Sequence, residues 1–172
     1  MSSNIKVGLI GAGNIAKEHL SVINDLENVT AVGITSRTLS KANELAKKFK
    51  IENVYNDYNS LISKSGLDAL IVTVSIDQMY QLLKNLIPYK FPLFIEKPPG
   101  IVPEETSSLV DLANKFEVKN MVGYNRRYYS IFHKGKKIIN NNGKLLGITI
   151  EGHERFWNQI NNLPKLIKQN WI

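Results

Sequence analysis

The 172 residues include no cysteine. Disulfides, thiolate metal sites and cysteine nucleophiles are therefore excluded, and no metal site is read from the sequence. No stretch reaches the roughly 18 consecutive apolar residues that a membrane-spanning helix needs. The apolar run near the N-terminus is short and is cut by glycines, which suits a loop better than a secretory leader. A cytoplasmic protein with no membrane partner is the expectation. Internal repeats, low-complexity linkers and long blocks of one charge are lacking too. What remains is an ordinary globular composition, 43% hydrophobic and 22% charged. That suffices for the core of one domain of roughly 100–200 residues, with part of a second.

The charge is uneven. Twenty-two Lys and Arg against 15 Asp and Glu leave a formal +7, and much of the excess lies in HKGKKIINNNGK, His133–Lys144. No aromatic ladder or recognition motif accompanies it, so a solvated helix face is expected and no nucleic-acid partner. An anionic cofactor or substrate would suit a basic protein equally well.

Hydrophobic periodicity gives a regular rhythm. Strands are expected at Lys6–Ile10, Val29–Thr35, Asn53–Tyr55, Ala69–Val74, Pro92–Glu96 and Asn120–Tyr124. Between them, helices are expected from Asn14 to about Asn24, with Ile15, His19, Val22 and Ile23 on the apolar stripe, and at Ser40–Phe49, facing inward through Leu45, Ala46 and Phe49. A short helix follows at Tyr58–Ser63. Ser75 with Gln78 signals a capping box for a helix to about Leu86. Pro103, Glu104 and Glu105 open another that runs to about Lys115. Six alternations with short links imply a doubly wound parallel sheet with helices on both faces. After Tyr124 the rhythm changes. A helix is expected over Arg126–Asn141, weakened by Gly135, then a turn at Asn142-Gly143, a strand at Leu145–Glu151 and a short helix past Pro164. The domain boundary is expected at residues 123 and 124, with 124–172 reading as the opening of a second domain that cannot close a sheet alone.

The first strand runs into GLIGAGNIAKEH, Gly8–His19. Gly11, Ala12, Gly13, Asn14, Ile15 and Ala16 fit G-x-G-x-x-A. Gly11 permits a tight turn, Gly13 carries no side chain to hold a pyrophosphate off the backbone, and Ala16 lets the helix pack against the strand. The helix starting there directs free N–H groups and partial positive charge at the phosphates. A purely structural turn is the plainer alternative. The surrounding strand–loop–helix context favours the dinucleotide site.

An NAD site wants an acid at the end of the second strand, where it accepts from the ribose hydroxyls. Here stand Thr35, Ser36, Arg37 and Thr38, with Lys41 one helical turn on. Ser36 can donate to a 2′-phosphate, and Arg37 and Lys41 attract it where an aspartate would repel it. NADP is preferred over NAD on this ground, unless Arg37 is an ordinary surface cation. The missing acid also counts against an S-adenosylmethionine methyltransferase, which typically places one there.

FIEKPPG, Phe94–Gly100, closes the fifth strand. Ligands of an open parallel sheet bind beyond the carboxyl ends of the strands, so Glu96 and Lys97 stand at the correct edge, on a turn stiffened by Pro98 and Pro99. Lys97 can hydrogen-bond a substrate hydroxyl or carbonyl and relay a proton as hydride moves. The alternative is a Glu–Lys surface pair before a proline turn.

GAGNIA followed by His19, SR after the second strand, EKP after the fifth and GYNRRY (Gly123–Tyr128) after the sixth occur in one order. That order closely resembles the glucose–fructose oxidoreductase / inositol dehydrogenase / rhizopine catabolism family of NAD(P)-dependent oxidoreductases, most strongly over residues 5–130. The resemblance implies a Rossmann domain followed by an α+β domain with a large, mostly antiparallel sheet, and hydride transfer between a nicotinamide and a sugar, polyol or related carbonyl. It makes Lys97 the catalytic-site lysine, standing beside the nicotinamide as part of the cofactor site, and puts Glu96 near the nicotinamide side. Thr73, Val74 and Ser75 match positions that line the cofactor. Tyr124, Asn125 and Arg127 match the segment entering the substrate pocket, where Arg127 could equally brace the fold.

Two departures stand out. The family's usual T-P-N-x-x-H after the fourth strand is here TVSIDQMY, Thr73–Tyr80. Its other catalytic groups, an aspartate and a histidine on a second-domain helix, have no counterpart, and neither His133 nor His153 matches them. The expectation is therefore the cofactor-binding half of an oxidoreductase, inactive or nearly so alone; a non-catalytic dinucleotide-binding regulator or sensor is the alternative. The resemblance also implies a homo-oligomer formed through the second-domain sheet, whose apolar face around Leu145–Ile150 would be exposed.

Overall fold

The first strand, β1 (Ile5–Ile10), is buried from Val7 to Ile10 on both faces. Val7 and Leu9 point to one side and Ile10 to the other, into separate cores. In this computed structural model, which describes residues 4–149 and 151, five further strands follow: β2 (Val29–Thr35), β3 (Asn53–Tyr55), β4 (Ala69–Val72), β5 (Leu93–Ile95) and β6 (Asn120–Val122). All pair in parallel, in the order β3-β2-β1-β4-β5-β6. This is a Rossmann-type sheet. The chain starts at the centre, winds outward through β2 and β3, then returns to β4 on the other side of β1. The order reverses between β1 and β4, which opens a crevice at their carboxyl ends.

Helices α1 (Asn14–Asn24) and α2 (Leu39–Phe49) cover one face. Helices α3 (Tyr58–Lys64), α4 (Ile76–Leu86) and α5 (Pro103–Phe116) cover the other. Leu9, Leu70 and Val72 are fully buried at the sheet's centre, each stabilising by about 1.5–3 kcal/mol relative to exposure. α5 opens on Pro103 with Glu104 and Glu105 in its first turn, and Glu105 accepts the Ile101 N–H at 2.7 Å. α3 is capped by Asp57, whose carboxylate accepts the Ser60 N–H at 2.8 Å.

Three local expectations are corrected. The buried stripe of α1 is Ala16, Leu20 and Ile23, whereas Ile15 and Val22 are 49% and 59% exposed. The helix must come close to the sheet just after the glycine loop, so the small Ala16 faces inward and the i, i+4, i+7 row from it is buried. At α4, Ser75 is the N-cap residue but its hydroxyl does not cap. The Gln78 N–H goes to the Ser75 carbonyl at 2.9 Å instead. β4 ends at Val72, two residues early, its last ladder bond running from the Thr73 N–H to the Ile10 carbonyl at 2.8 Å.

The chain divides into two units between Gly123 and Tyr124. In the second, the single helix expected from Arg126 is broken into a 3₁₀ turn, Asn125–Tyr128, and α6 (Ser130–Asn141). Tyr129 between them is extended, and its carbonyl accepts from Phe132 and His133 to start α6. The strand expected at Leu145–Glu151 is absent among the described residues of that stretch. A strand needs a neighbour to satisfy its N–H and C=O groups, no described strand pairs with this stretch, and Leu146 is 96% exposed. His153 and the helix expected past Pro164 lie outside the described residues. No helix among the described residues is long and apolar enough to cross a membrane.

Candidate coenzyme site

The glycine loop spans the crevice. Gly11 donates its N–H to the Thr35 carbonyl at 2.8 Å, which ties β1 to β2 at their ends. Its φ is +111°, and a Cβ there would meet Thr73 Oγ1 at 2.6 Å and the Thr73 backbone at 2.8 Å. Only glycine fits. Gly13 differs. Its φ of −86° is open to any residue, and a Cβ would meet nothing within 4 Å. No protein group fills the space above it. Gly13 is also the N-cap of α1, whose first turn has neither a capping side chain nor an acid. Its leading N–H groups thus have no intrahelical partner. Bare main chain, empty space and an uncapped helix coincide, as a pyrophosphate requires.

From Gly11–Gly13 a cleft of about 410 Å³ runs across the ends of β1, β2, β3 and β4. Thr35–Thr38 and Lys41 line one side, Thr73–Ser75 with Gln78 and Leu82 another, and Asn56–Tyr58 the far end. Gly11, Ala12, Gly13, Ser36, Arg37, Lys41, Thr73, Val74 and Ser75 are thus brought together as the sequence predicts. Asn14 and Ile15 lie on the first turn of α1, exposed and outside the lining. Ser36 Oγ accepts the Thr38 N–H at 3.3 Å, holding the turn that presents Arg37.

Sequence reasoning missed one acid in the cleft, Asp57. Hydrogen bonds from the Ser60 N–H, and secondarily from its hydroxyl, hold its carboxyl below the usual range, so its charge is committed to capping α3. Asp77 lies below its usual range as well, chiefly through the Ser75 hydroxyl, with a smaller contribution from the Arg37 charge. An Asp at the start of a short polar stretch before Tyr58 is an N-cap signal that was available and was not used.

Glu96 and Lys97 do not line this cleft. They follow β5, where the Glu96 N–H continues the ladder to the Val72 carbonyl at 2.9 Å. Glu96 Oε1 lies 2.8 Å from His19 Nε2 of α1, and Oε2 accepts the Lys97 N–H at 3.2 Å. Phe94 meets the His19 ring edge-on at 5.0 Å. Lys97 itself is exposed, and its bond to Pro98 is cis. In the second unit, Tyr124, Asn125 and Arg127 are exposed on or beside the 3₁₀ turn. The Arg127 guanidinium lies 5.9 Å from the centre of the Tyr128 ring.

Residues 5–124 match the model of an oxidoreductase family with an NAD-binding Rossmann fold, GFO_IDH_MocA. The chain belongs to this family. Among GFO_IDH_MocA proteins it is 30% identical over 141 residues to the uncharacterized oxidoreductase YrbE of Bacillus subtilis, covering 82% of this chain and 41% of that one. It is also 30% identical over 147 residues to glucose-6-phosphate 3-dehydrogenase of the same organism, covering 84% and 41%. The scyllo-inositol dehydrogenase of Lactobacillus casei, solved with NAD(H) and scyllo-inositol, shares the fold with a TM-score of 0.75 at 20% identity, covering 81% and 42%. The chain spans about two-fifths of the length of these relatives.

Proposed function

We propose that residues 1–123 form the coenzyme-binding domain of an oxidoreductase that moves a hydride between NADP(H) and a sugar, polyol or related carbonyl compound. The carrying observation is Gly13: bare main chain beside open space, at an uncapped helix, at the β1/β4 switch point. The residues present fit a dinucleotide. The N–H groups of Gly13, Asn14 and Ile15 would hold the pyrophosphate. Ser36, Arg37 and Lys41 would hold the adenosine ribose with its 2′-phosphate, and the Asp57 carboxylate is engaged by the Ser60 N–H. Thr73–Ser75 would wall the cleft toward the nicotinamide side. When bound, the coenzyme supplies or accepts the hydride. Lys97 would hydrogen-bond the substrate's hydroxyl or carbonyl oxygen and hold the proton exchanged there.

The names of the relatives, glucose-6-phosphate 3-dehydrogenase and scyllo-inositol dehydrogenase, support a polyhydroxylated substrate. We read residues 124–172 as opening the substrate and oligomerisation domain, with Tyr124, Asn125 and Arg127 leading toward the substrate. The exposed apolar Leu145, Leu146 and Ile148 support self-association there. Over half of each relative lies outside the matched stretch, so hydride transfer by these 172 residues alone is expected to be slow or absent. A cytoplasmic setting is part of the same reading.

Calorimetric titration of NADPH and NADH against the chain and against Arg37→Asp tests the proposal. NADPH should bind the unaltered chain more tightly by about tenfold, one charge-assisted contact, and Arg37→Asp should erase or invert that ratio. No heat with either coenzyme refutes the site. Equal affinities unaffected by Arg37→Asp refute the NADP preference.

A further inference from the structure

His19 lies one turn beyond the end of α1 that faces the pyrophosphate site, and its side chain leaves the cleft for another strand. A carboxylate can only accept, so the 2.8 Å contact with Glu96 Oε1 puts a proton on His19 Nε2. The pair is largely shielded, with side chains 24% and 17% exposed, and Phe94 closes one side against the imidazole. At Gly123 a Cβ would stand 3.0 Å from Oε1 and 3.3 Å from the Phe94 ring, so the missing side chain is what leaves the carboxylate its place. The second carboxylate oxygen takes the main-chain N–H of Lys97.

From this arrangement we propose that His19 is a positioning residue: through Glu96 it fixes the main chain of Lys97, tying the Lys97 turn to the helix that receives the pyrophosphate. The tie uses one hydrogen-bonded chain, from His19 Nε2–H to Oε1, across the carboxylate, and from Oε2 to the Lys97 N–H. Its consequence is that seating the phosphates on α1 and presenting Lys97 toward the nicotinamide become one rigid event. Glu96 then serves as the link and need not touch the coenzyme. The consequence rests on the dinucleotide reading above; the tie itself does not.

The test uses the whole chain with three substitutions. His19→Leu removes the donor and keeps the apolar contact with Phe94. His19→Gln returns an N–H donor at comparable reach. Gly123→Ala crowds Oε1 without touching α1, and carries the test if His19→Leu does not fold. Hydrogen exchange at the Lys97 amide, read by NMR, should quicken several-fold in His19→Leu and Gly123→Ala and recover in His19→Gln. Two ligands separate the halves of the site: NADPH, and 2′,5′-ADP, which has no nicotinamide. His19→Leu should weaken NADPH by about tenfold, through the loosened Lys97 turn that would stand beside the nicotinamide, and leave 2′,5′-ADP unchanged. Unaltered Lys97 exchange in the substituted chains overturns the tie. Equal weakening of both ligands overturns it too, since His19 would then merely brace α1. Quickened exchange with NADPH binding intact overturns the positioning role. If the unaltered chain takes up neither ligand, the coenzyme reading fails while the Lys97 amide still decides the tie.

Discussion

Replacing Gly13 by alanine separates a turn from a binding site. The backbone there has φ −86° and ψ −173°, which alanine adopts without strain. Nothing stands within 4 Å of the new Cβ. As an N-cap, alanine is worse than glycine by at most about 1 kcal/mol, while stiffening the unfolded chain returns about 0.4–1 kcal/mol. The two nearly cancel, so the thermal midpoint should move little. Binding should behave otherwise. A methyl group standing where phosphate oxygens approach the main chain would break at least one charge-assisted hydrogen bond, about 1.5–3 kcal/mol. That is roughly a 10- to 100-fold loss of NADPH affinity. Gly11→Ala is the opposite arm. Its positive φ contributes about 1–3 kcal/mol of strain, and forcing a Cβ to 2.6 Å from Thr73 Oγ1 adds about 1–3 kcal/mol. Against a total of about 5–15 kcal/mol this threatens the fold. Calorimetry with NADPH and a thermal melt on each variant suffice. If Gly13→Ala binds NADPH like the unaltered chain, the loop is only a turn and the reasoning is wrong.

Leu70→Ala, at a fully buried position of β4, should lower stability by about 2–5 kcal/mol in chemical denaturation; a loss under about 1 kcal/mol would show that the α3–α5 side of the sheet is loosely packed. The carboxyls of Asp57 and Asp77 are both lowered in the folded chain. The folded state therefore binds fewer protons than the unfolded one in the acid range, and stability rises with pH there. Their contribution is complete above the ordinary aspartate range and is lost as pH falls below about 4. Asp57→Asn should flatten that slope in a series of thermal midpoints, and a steeper slope would contradict the Asp57 cap.

The layered sheet was legible because its signals are local. Ala69–Val72 is apolar on both faces, Pro103-Glu104-Glu105 announces a helix start, and the glycine loop sits between a strand and a helix. The α1 stripe failed because two local signals disagreed. Counting apolar residues favours Ile15, whereas the packing role of Ala16 in the loop turns the helix by one position, and the need for close approach to the sheet decides. The capping box at Ser75 failed because the Gln78 N–H bonds the Ser75 carbonyl and not its hydroxyl. The His19–Glu96 contact joins residues 77 apart in sequence. No spacing rule connects them; only the strand order, which sets β5 beyond β4 and α1 over the sheet, brings them together.

That strand order also explains why one helix can serve both ends of the site. The cleft lies over the ends of β1, β2, β3 and β4, across the switch point, and the Lys97 turn follows the next strand, β5. The ladder alone couples them weakly, through the Ile10 carbonyl to Thr73 and the Val72 carbonyl to Glu96. α1 starts at the cleft with Gly13 and, one turn later, reaches Glu96 with His19. On the proposed reading, a rigid helix whose N-terminus would receive phosphate and whose His19 holds the carboxylate beside Lys97 would fix the distance between the two ends, where separate loops would leave it to vary. The helix whose first turn would receive phosphate on that reading thus also holds, through His19, the carboxylate beside Lys97.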